Sequence, residues 1–124
     1  MANASSWQIE IKSIFLEIYM LSKATQNMIP LIQQFLQTQP VKRAYLFGSC
    51  SRGEESPDSD IDLLVTYDDS NSLSLLTICR MMNELGEHLG RKVDMVEEGR
   101  LLPFAIPSVE KDKILIYERP HSRP

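Results

Sequence analysis

The sequence predicts an α/β domain in which a small mixed β-sheet is flanked by helices. Its 124 residues are enough for one domain with a buried core. Apolar runs typical of strands alternate with stretches of helical periodicity, and no repeat or linker separates them. The run Leu63–Val65 contains no polar residue, which favours a central strand with both faces covered. We therefore treat residues 1–124 as a single domain.

The first predicted element is a helix over Ser5–Lys23. Apolar residues recur through it at spacings of three and four, and others widen this stripe until little of the surface is polar. Residues 1–24 thus form an N-terminal helical extension that packs against the core or against a partner protein, and both alternatives stay open. The recurring residues are Trp7, Ile11, Ile14, Ile18 and Leu21.

A second helix is predicted from Met28 to about Gln37, followed by a strand. Asn27 is a suitable N-cap, and Pro30 then falls in the first turn, where its missing N–H costs little. Pro40 ends the helix, and Val41–Phe47 has the composition of a strand. The residues expected to face inward from the helix are Ile29, Ile32, Phe35 and Leu36.

The second half of the chain predicts two strands separated by a long helix. The strands are Ile61–Thr66 and Arg91–Val96. Between them Leu73–Leu89 has the period of a helix, and Gly90 is well placed just beyond its end. Ile114–Tyr117 is predicted as a final edge strand. The inner residues of the helix are expected to be Leu75, Leu76, Cys79, Met82, Leu85 and Leu89.

Four segments predict short or irregular structure. Ser49–Gly53 is expected to form a short helical turn, and Glu54–Ser59 a polar loop. Leu101–Ile106 is predicted as a short helix or turn, and residues 119–124 as a flexible tail.

Composition limits the function classes. A net charge of -4 without a basic run argues against direct nucleic-acid binding. Cys50 and Cys79 form neither a disulfide framework nor a zinc pattern, so we expect the reduced thiols of a cytoplasmic protein. No signal peptide or membrane-spanning segment is recognisable in the sequence.

Asp60 and Asp62 are the first candidate site residues. On a strand their side chains share one face, with Cα atoms roughly 6.5 Å apart. Two carboxylates this close repel each other unless a cation lies between them, and Mg²⁺ suits such a pair together with substrate phosphates. An isolated Asp-x-Asp pair more often simply begins a strand after a turn.

The turn at Gly48 and Ser49 adds a candidate phosphate site. It follows a strand and opens a helical turn, whose exposed N–H groups attract anions. Glycine lets the backbone approach a phosphate closely, and the Ser49 hydroxyl can donate to one. Arg52 is placed to reach the same phosphate. An ordinary turn capped by Ser49, with a solvated Arg52, is the alternative.

Asp94 is the third candidate carboxylate. A charge inside the apolar strand Val93–Val96 is costly unless it is paired or liganded. If this strand lies beside Ile61–Thr66, Asp94 can face the same metal centre; a salt bridge to Lys92 or Arg91 is the alternative. Three carboxylates and a phosphate-binding turn indicate a two-metal phosphoryl or nucleotidyl transfer site with Asp94 as ligand and general base.

These elements resemble the signature of the DNA polymerase β-like nucleotidyltransferase superfamily. Gly48-Ser49, Asp60-x-Asp62 after a ten-residue gap and Asp94 on a later strand match it in order and spacing. The variant GSCSRG, the run SDIDLLV and the stretch LGRKVDMV are most similar to minimal nucleotidyltransferases. The resemblance covers about Met28–Tyr117 and implies the polymerase β-like fold.

The resemblance also implies a function. Proteins of this family and size are typically antitoxins that transfer AMP from ATP to a tyrosine of a HEPN-domain ribonuclease toxin. Alternatives are a non-catalytic antitoxin acting by contact, or transfer to a small molecule or an RNA end. The implied roles are Mg²⁺ binding by Asp60, Asp62 and Asp94, proton acceptance by Asp94, triphosphate binding by Gly48 and Ser49, and an auxiliary phosphate contact from Arg52.

Overall fold

A computed structural model describes residues 16–69 and 73–120 and contains a four-stranded mixed sheet. The strand order is β3-β2-β1-β4, in which β1 pairs antiparallel with β2 and with β4, and β2 pairs parallel with β3. The strands are β1 Val41–Phe47, β2 Ile61–Tyr67, β3 Val93–Glu97 and β4 Ile114–Glu118. The predicted mixed α/β architecture is therefore confirmed.

The central position of β2 is also confirmed. Ile61, Leu63 and Val65 have no solvent-accessible surface, and Leu64 is 1% exposed, so both faces of the strand are covered. An uninterrupted apolar run suits a strand that is buried on both faces, whereas a strand of alternating apolar and polar residues suits a sheet with one face exposed to water. Asp62 within β2 and Asp60 directly before it are therefore carried by a well-packed inner strand.

Three helices lie entirely within the described residues and accompany the sheet. The first two contribute buried residues, including Ile32 and Met81, to the same hydrophobic cluster as the strands. Their bounds are α1 Lys23–Leu36, α2 Leu75–Leu89 and α3 Ile106–Asp112. Gly90 ends α2 in the left-handed conformation, as predicted. Among the described residues, no helix has the length and apolar character needed to cross a bilayer.

The predicted boundary between the first two helices is wrong. Residues 16–19 are helical, but the next helix already begins at Lys23, and residues 1–15 of the predicted extension lie outside the described residues. Ser22 is the N-cap because its hydroxyl oxygen accepts a hydrogen bond from the Thr25 N–H at 3.1 Å. Asn27 and Pro30 therefore lie inside α1, with Pro30 on its exposed side.

The two candidate caps make different predictions for stability. Ser22→Ala should lower the free energy of unfolding by about 1 kcal/mol, because the Thr25 N–H loses its acceptor. Asn27→Ala should change it by less than about 0.5 kcal/mol or increase it, since alanine favours a helix interior. Urea denaturation of both variants measures the difference. Equal losses in the two variants would contradict the assignment of the cap.

The inner face of α2 agrees with the prediction only in part: Leu85 is buried and Met82 and Leu89 pack against the core, as expected. Met81 and Leu85 are its fully buried residues, whereas Leu75 and Leu76 are 75% and 81% exposed and Cys79 is half-buried. At about 100° per residue, Leu76 lies about 140° around the helix from Met81. The helix begins at Leu75, with Ser74 as its cap, two residues later than predicted.

The last part of the chain contains a helix that the sequence did not predict. A 3₁₀ turn, Pro103–Ala105, falls within the predicted segment Leu101–Ile106, but α3 continues from there to Asp112. Pro107 occupies the first turn, where its missing N–H is tolerated. Val109 is the buried residue of α3, so the apolar periodicity was too weak to indicate a helix.

The edge strand β4 is confirmed, but the tail does not begin at Arg119. The Arg119 guanidinium forms an ion pair with Asp68 and donates to the Gln39 carbonyl oxygen at 2.6 Å. These contacts hold the chain just after β4. Residues 121–124 of the predicted tail lie outside the described residues.

Glu98, just beyond β3, supplies a pH-dependent contribution to stability. Its carboxylate accepts hydrogen bonds from the Thr66 hydroxyl and from Arg43, with Nη2 of Arg43 2.9 Å from Oε1. Burial raises the pKa of Glu98, but these hydrogen bonds outweigh burial and hold the pKa below its ordinary value. The carboxylate form therefore stabilises the fold.

Glu98→Gln should lower the free energy of unfolding by about 1 kcal/mol at pH 7. Because the folded-state pKa is depressed, the wild-type advantage is complete above the unfolded-state pKa of about 4.3 and is lost as pH falls through the folded-state pKa. Urea denaturation at pH 7 and pH 3 tests this, with the exposed Glu84→Gln as control. An equal loss at both pH values would contradict the prediction.

Candidate active site

The loop after β1 has the predicted turn. Gly48 adopts a φ of 77° and opens the 3₁₀ turn Gly48–Cys50. The Gly48 carbonyl oxygen accepts hydrogen bonds from the N–H groups of Ser51 and Arg52 at 3.1 and 3.3 Å. Ser49 lies half-exposed on this turn. A left-handed residue directly after an extended strand is the reason that a glycine is needed here.

Two contacts fix the loop that leads into β2. The fully buried Cys50 places its Sγ 3.8 Å from the Asp60 carbonyl oxygen, and burial raises the pKa of the Cys50 thiol. The Arg91 guanidinium donates to the Ser59 carbonyl oxygen at 2.6 and 3.0 Å and to the Ser56 carbonyl oxygen at 3.2 Å. Arg91 thus stabilises the loop directly before Asp60. No spacing in the sequence indicated this role.

Asp62 lies at the centre of the candidate site. Its register partners are Phe47 at the end of β1 and Asp94 on β3. A Cβ added to Gly48 would lie 2.4 Å from Asp62 Oδ2, so the turn and the carboxylate are in close contact. Burial raises the pKa of Asp62, and the nearby carboxylates of Asp94 and Asp60 raise it further. The structure therefore brings the predicted turn and the predicted aspartates together.

The alternative salt bridges of Asp94 are not formed. Lys92 Nζ lies 4.0 Å from Asp60 Oδ2, and both side chains are largely exposed. Arg91 is occupied by carbonyl oxygens of the preceding loop. Asp94 stays half-buried beside Asp62, as expected of a site residue.

The donor set fits a hard divalent cation. Within residues 16–69 and 73–120, no three His, Cys, Asp or Glu side chains are already grouped as a metal site. The aspartates nevertheless supply carboxylate oxygens, the ligands that Mg²⁺ prefers. Burial first, and then the carboxylates of Asp94 and Asp60, raise the pKa of Asp62, and a bound cation would compensate the negative charge of these carboxylates. Metal binding by Asp60, Asp62 and Asp94 stays a prediction.

Arg52 is held by two carboxylates. Its guanidinium donates to Glu54 at 2.8 Å and to Asp112 at the end of α3 at 3.1 Å. Arg52 is nevertheless 41% exposed, so a solvated surface arginine stays the alternative to a phosphate contact. Asp112 was missed because nothing local links it to a residue sixty positions earlier. A phosphate contact from Arg52 stays a prediction.

Comparison with known proteins identifies relatives of the chain. The model of the family "Polymerase beta, Nucleotidyltransferase" matches residues 31–122. Two proteins of Methanocaldococcus jannaschii are similar. One, named "Putative protein adenylyltransferase MJ1379", is 36% identical over 61% of this chain and 77% of its own length. The other, named "Putative protein adenylyltransferase MJ0435", is 41% identical over 60% of this chain and 73% of its own length.

Several solved structures have the same fold as this chain. A structure named "putative minimal nucleotidyltransferase" has a TM-score of 0.53 and 32% identity over 73% of this chain and 86% of that chain. A toxin-antitoxin crystal structure with AMP-PNP has a TM-score of 0.63 and 24% identity over 73% of each chain. A complex of a tri-AMPylated Shewanella oneidensis HEPN toxin with MNT antitoxin has a TM-score of 0.58 and 22% identity over 77% of this chain and 73% of that chain. Since the family model covers well over half of the chain and contains the turn and all three aspartates, the chain belongs to the polymerase β nucleotidyltransferase family and is a nucleotidyltransferase.

Proposed function

We propose that the chain is an antitoxin that transfers AMP from ATP to a tyrosine hydroxyl of a HEPN-domain ribonuclease toxin. The observation that carries the proposal is the position of Asp62 on the central strand, against Gly48 on one side and beside Asp94 on the other. The contact of the Gly48 turn with one carboxylate and the pairing of that carboxylate with a second support a site for nucleotide phosphates and metal. Two relatives named as protein adenylyltransferases and the likeness to toxin-antitoxin structures support it.

Each predicted residue has a distinct role in the proposal. The Gly48 turn and the Ser49 hydroxyl bind the triphosphate, with Arg52 as an auxiliary contact. Asp60, Asp62 and Asp94 would hold two Mg²⁺ ions, which supply charge neutralisation of the phosphates and a lowered pKa of the attacking hydroxyl. Asp94 accepts the proton of that hydroxyl. The relatives named as protein adenylyltransferases favour a protein acceptor.

The test is AMP transfer to a HEPN-domain toxin. The chain is incubated with ATP, Mg²⁺ and the toxin, and the toxin should gain the mass of one or more AMP groups. A toxin in which the acceptor tyrosine is replaced by phenylalanine is the control and should gain none. No mass increase with any nucleotide, together with full neutralisation of the toxin, would contradict the proposal.

A contact mechanism is the second candidate function. Leu16, Tyr19 and Met20, at the described end of the N-terminal helical extension, are 62%, 75% and 76% exposed. Apolar side chains grouped in this way are typical of a protein-binding surface. An antitoxin could cover its toxin with this surface and inhibit it without catalysis, and the absence of AMP transfer during neutralisation would favour this mechanism.

A further inference from the structure

Asp60 lies just outside the paired part of the sheet. β2 begins at Ile61, and its pairing with both neighbouring strands starts no earlier than that residue. The strand pairs that hold Asp62 and Asp94 in register therefore do not hold Asp60. Because Mg²⁺ requires near-ideal octahedral geometry, a proposed ligand in this position needs another support.

The loop before Asp60 contains a compact turn over residues 56–59. The Ser59 N–H donates to the Ser56 carbonyl oxygen at 3.0 Å, and the Ser56 N–H donates to the Ser59 hydroxyl oxygen at 2.7 Å. Pro57 occupies the second position, where its fixed φ favours such a turn. These bonds define the shape of the turn, but they do not fix its place relative to the sheet.

Arg91, two residues before β3, attaches the turn to the sheet. Its Nε and Nη2 donate to the Ser59 carbonyl oxygen at 3.0 and 2.6 Å, and Nη2 also donates to the Ser56 carbonyl oxygen at 3.2 Å. The rigid guanidinium fork can bind both carbonyl oxygens at once, whereas the single ammonium of a lysine has no such fork. Arg91 thus fixes the turn at both of its ends.

The backbone around Asp60 has two further partners. The Ile61 N–H donates to the Lys92 carbonyl oxygen at 2.9 Å, and Cys50 Sγ lies 3.8 Å from the Asp60 carbonyl oxygen. Arg91 Nη2 lies 3.9 Å from the same sulfur atom. The peptide groups on both sides of Asp60 are therefore held by the two residues that precede β3.

The position of Arg91 itself depends on Gly86 in α2. The Arg91 N–H donates to the Gly86 carbonyl oxygen at 3.2 Å. A Cβ added to Gly86 would lie 2.9 Å from the Arg91 carbonyl oxygen, so any side chain there would displace the Arg91 backbone. Glycine is unfavourable inside a helix, and this close approach is a reason for its presence.

We propose that Arg91 is a positioning residue that holds Asp60 where it can bind Mg²⁺, an inference that rests on the proposed function. In this role Arg91 contacts neither the ion nor ATP and acts through the backbone before Asp60. Loss of groups that orient metal ligands typically lowers metal affinity roughly 10–100-fold.

The sign of the effect separates positioning from simple electrostatics. A positive charge near the aspartates opposes a bound cation, so removal of the Arg91 charge alone would strengthen Mg²⁺ binding. Loss of the hydrogen bonds to the turn should instead weaken it. A variant without the guanidinium therefore has opposite expected results under the two explanations.

Arg91→Met removes every donor of the guanidinium but keeps an extended side chain. Its apparent Mg²⁺ dissociation constant, from thermal unfolding at increasing Mg²⁺, should rise at least about 10-fold. The Mg²⁺ concentration for half-maximal AMP transfer to a HEPN-domain toxin should rise by a similar factor, and excess Mg²⁺ should restore most of the lost transfer.

Two milder variants change the position without removing the charge. Arg91→Lys keeps a cation but lacks the fork, and Gly86→Ala keeps Arg91 but displaces its backbone. Each should raise the Mg²⁺ dissociation constant about threefold, in the same direction as Arg91→Met.

Two controls exclude other causes. Arg80→Met makes the same change at an arginine of α2 whose side chain is 64% exposed, and it should bind Mg²⁺ as the wild type does. Ile32→Val removes a methyl group from the core and lowers stability without touching the turn. It should lower the unfolding temperature but leave the Mg²⁺ dissociation constant unchanged.

The outcomes separate the inference from the proposed function. Unchanged or stronger Mg²⁺ binding in Arg91→Met, or an equal loss in Ile32→Val, would overturn the role of Arg91 while AMP transfer by the wild type still stands. A wild type that Mg²⁺ does not stabilise would overturn the inference as well. A wild type whose Mg²⁺ binding depends on Arg91 but which labels no HEPN-domain toxin would overturn the proposed function and support the positioning role.

Discussion

Replacing Asp62 with asparagine is expected to lower AMP transfer at least about 10³-fold while the fold stays intact. The substitution preserves shape but removes the charge at the centre of the three aspartates. Transfer to a HEPN-domain toxin, followed by mass spectrometry, measures the effect. Asp58→Asn, in the exposed loop just before β2, is the matched control and should retain wild-type activity.

The same variant should be slightly more stable than the wild type without metal. Because the folded-state pKa of Asp62 is raised, the folded wild type loses stability as pH rises from the unfolded-state pKa, about 3.9, through the folded-state pKa. Asp62→Asn removes this cost, so its advantage is absent near pH 3 and complete above the folded-state pKa. We expect about 0.5 kcal/mol, since water screens a half-buried carboxylate.

Added Mg²⁺ should reverse that order. Metal binding stabilises the wild type by mass action, whereas the variant has lost a proposed ligand. Thermal unfolding in chelator and in Mg²⁺ at pH 7 measures both effects. Equal stabilisation of the two proteins by Mg²⁺ would show that Asp62 is not a ligand, whatever the activity assay gives.

Replacing Gly48 with alanine should have the second-largest effect. The added Cβ would lie 2.4 Å from Asp62 Oδ2, so the turn or the carboxylate has to move. A displacement near 1 Å at reacting groups can lower a rate about 100-fold, and we expect a loss of at least this size. Alanine in the left-handed conformation also costs about 1 kcal/mol of stability.

Gly53→Ala is the control that separates the effect of backbone strain from that of a steric clash with Asp62. Gly53 has a φ of 71°, close to that of Gly48, but an added Cβ would meet no atom within 4 Å. Both variants should therefore lose about 1 kcal/mol in urea denaturation, whereas only Gly48→Ala should lose most of its activity. Similar activities for the two variants would contradict the role of the Gly48–Asp62 contact.

Features specified by short stretches of sequence were predicted best. The apolar run Leu63–Val65 identified the central strand, because full burial of a strand requires it. Asp62 and Asp94 were recognisable as unusual charges beside apolar residues, and their strands pair as expected. Gly48 was placed correctly because a turn directly after a strand requires its conformation.

Features that depend on distant contacts were missed or misplaced. Arg91 donates to Ser59, 32 residues earlier in the chain, and Asp112 accepts from Arg52, 60 residues earlier. The local periodicity of a sequence does not indicate contacts over such separations. The first turn of α2 was misassigned because its leucines suggested burial, whereas Leu75 and Leu76 are exposed and Met81 is buried instead. The N-cap at Ser22 was overlooked because Asn27 had equally suitable chemistry.

The parallel pairing of β2 with β3 has a consequence for the order in which the protein is made. Parallel neighbours require a long crossover, here the one that contains α2, so Asp60 and Asp62 leave the ribosome about thirty residues ahead of Asp94. A nascent chain can complete the antiparallel β1–β2 pair while it still lacks the proposed proton acceptor. The proposed proton transfer to Asp94 therefore requires that β3 has docked beside β2.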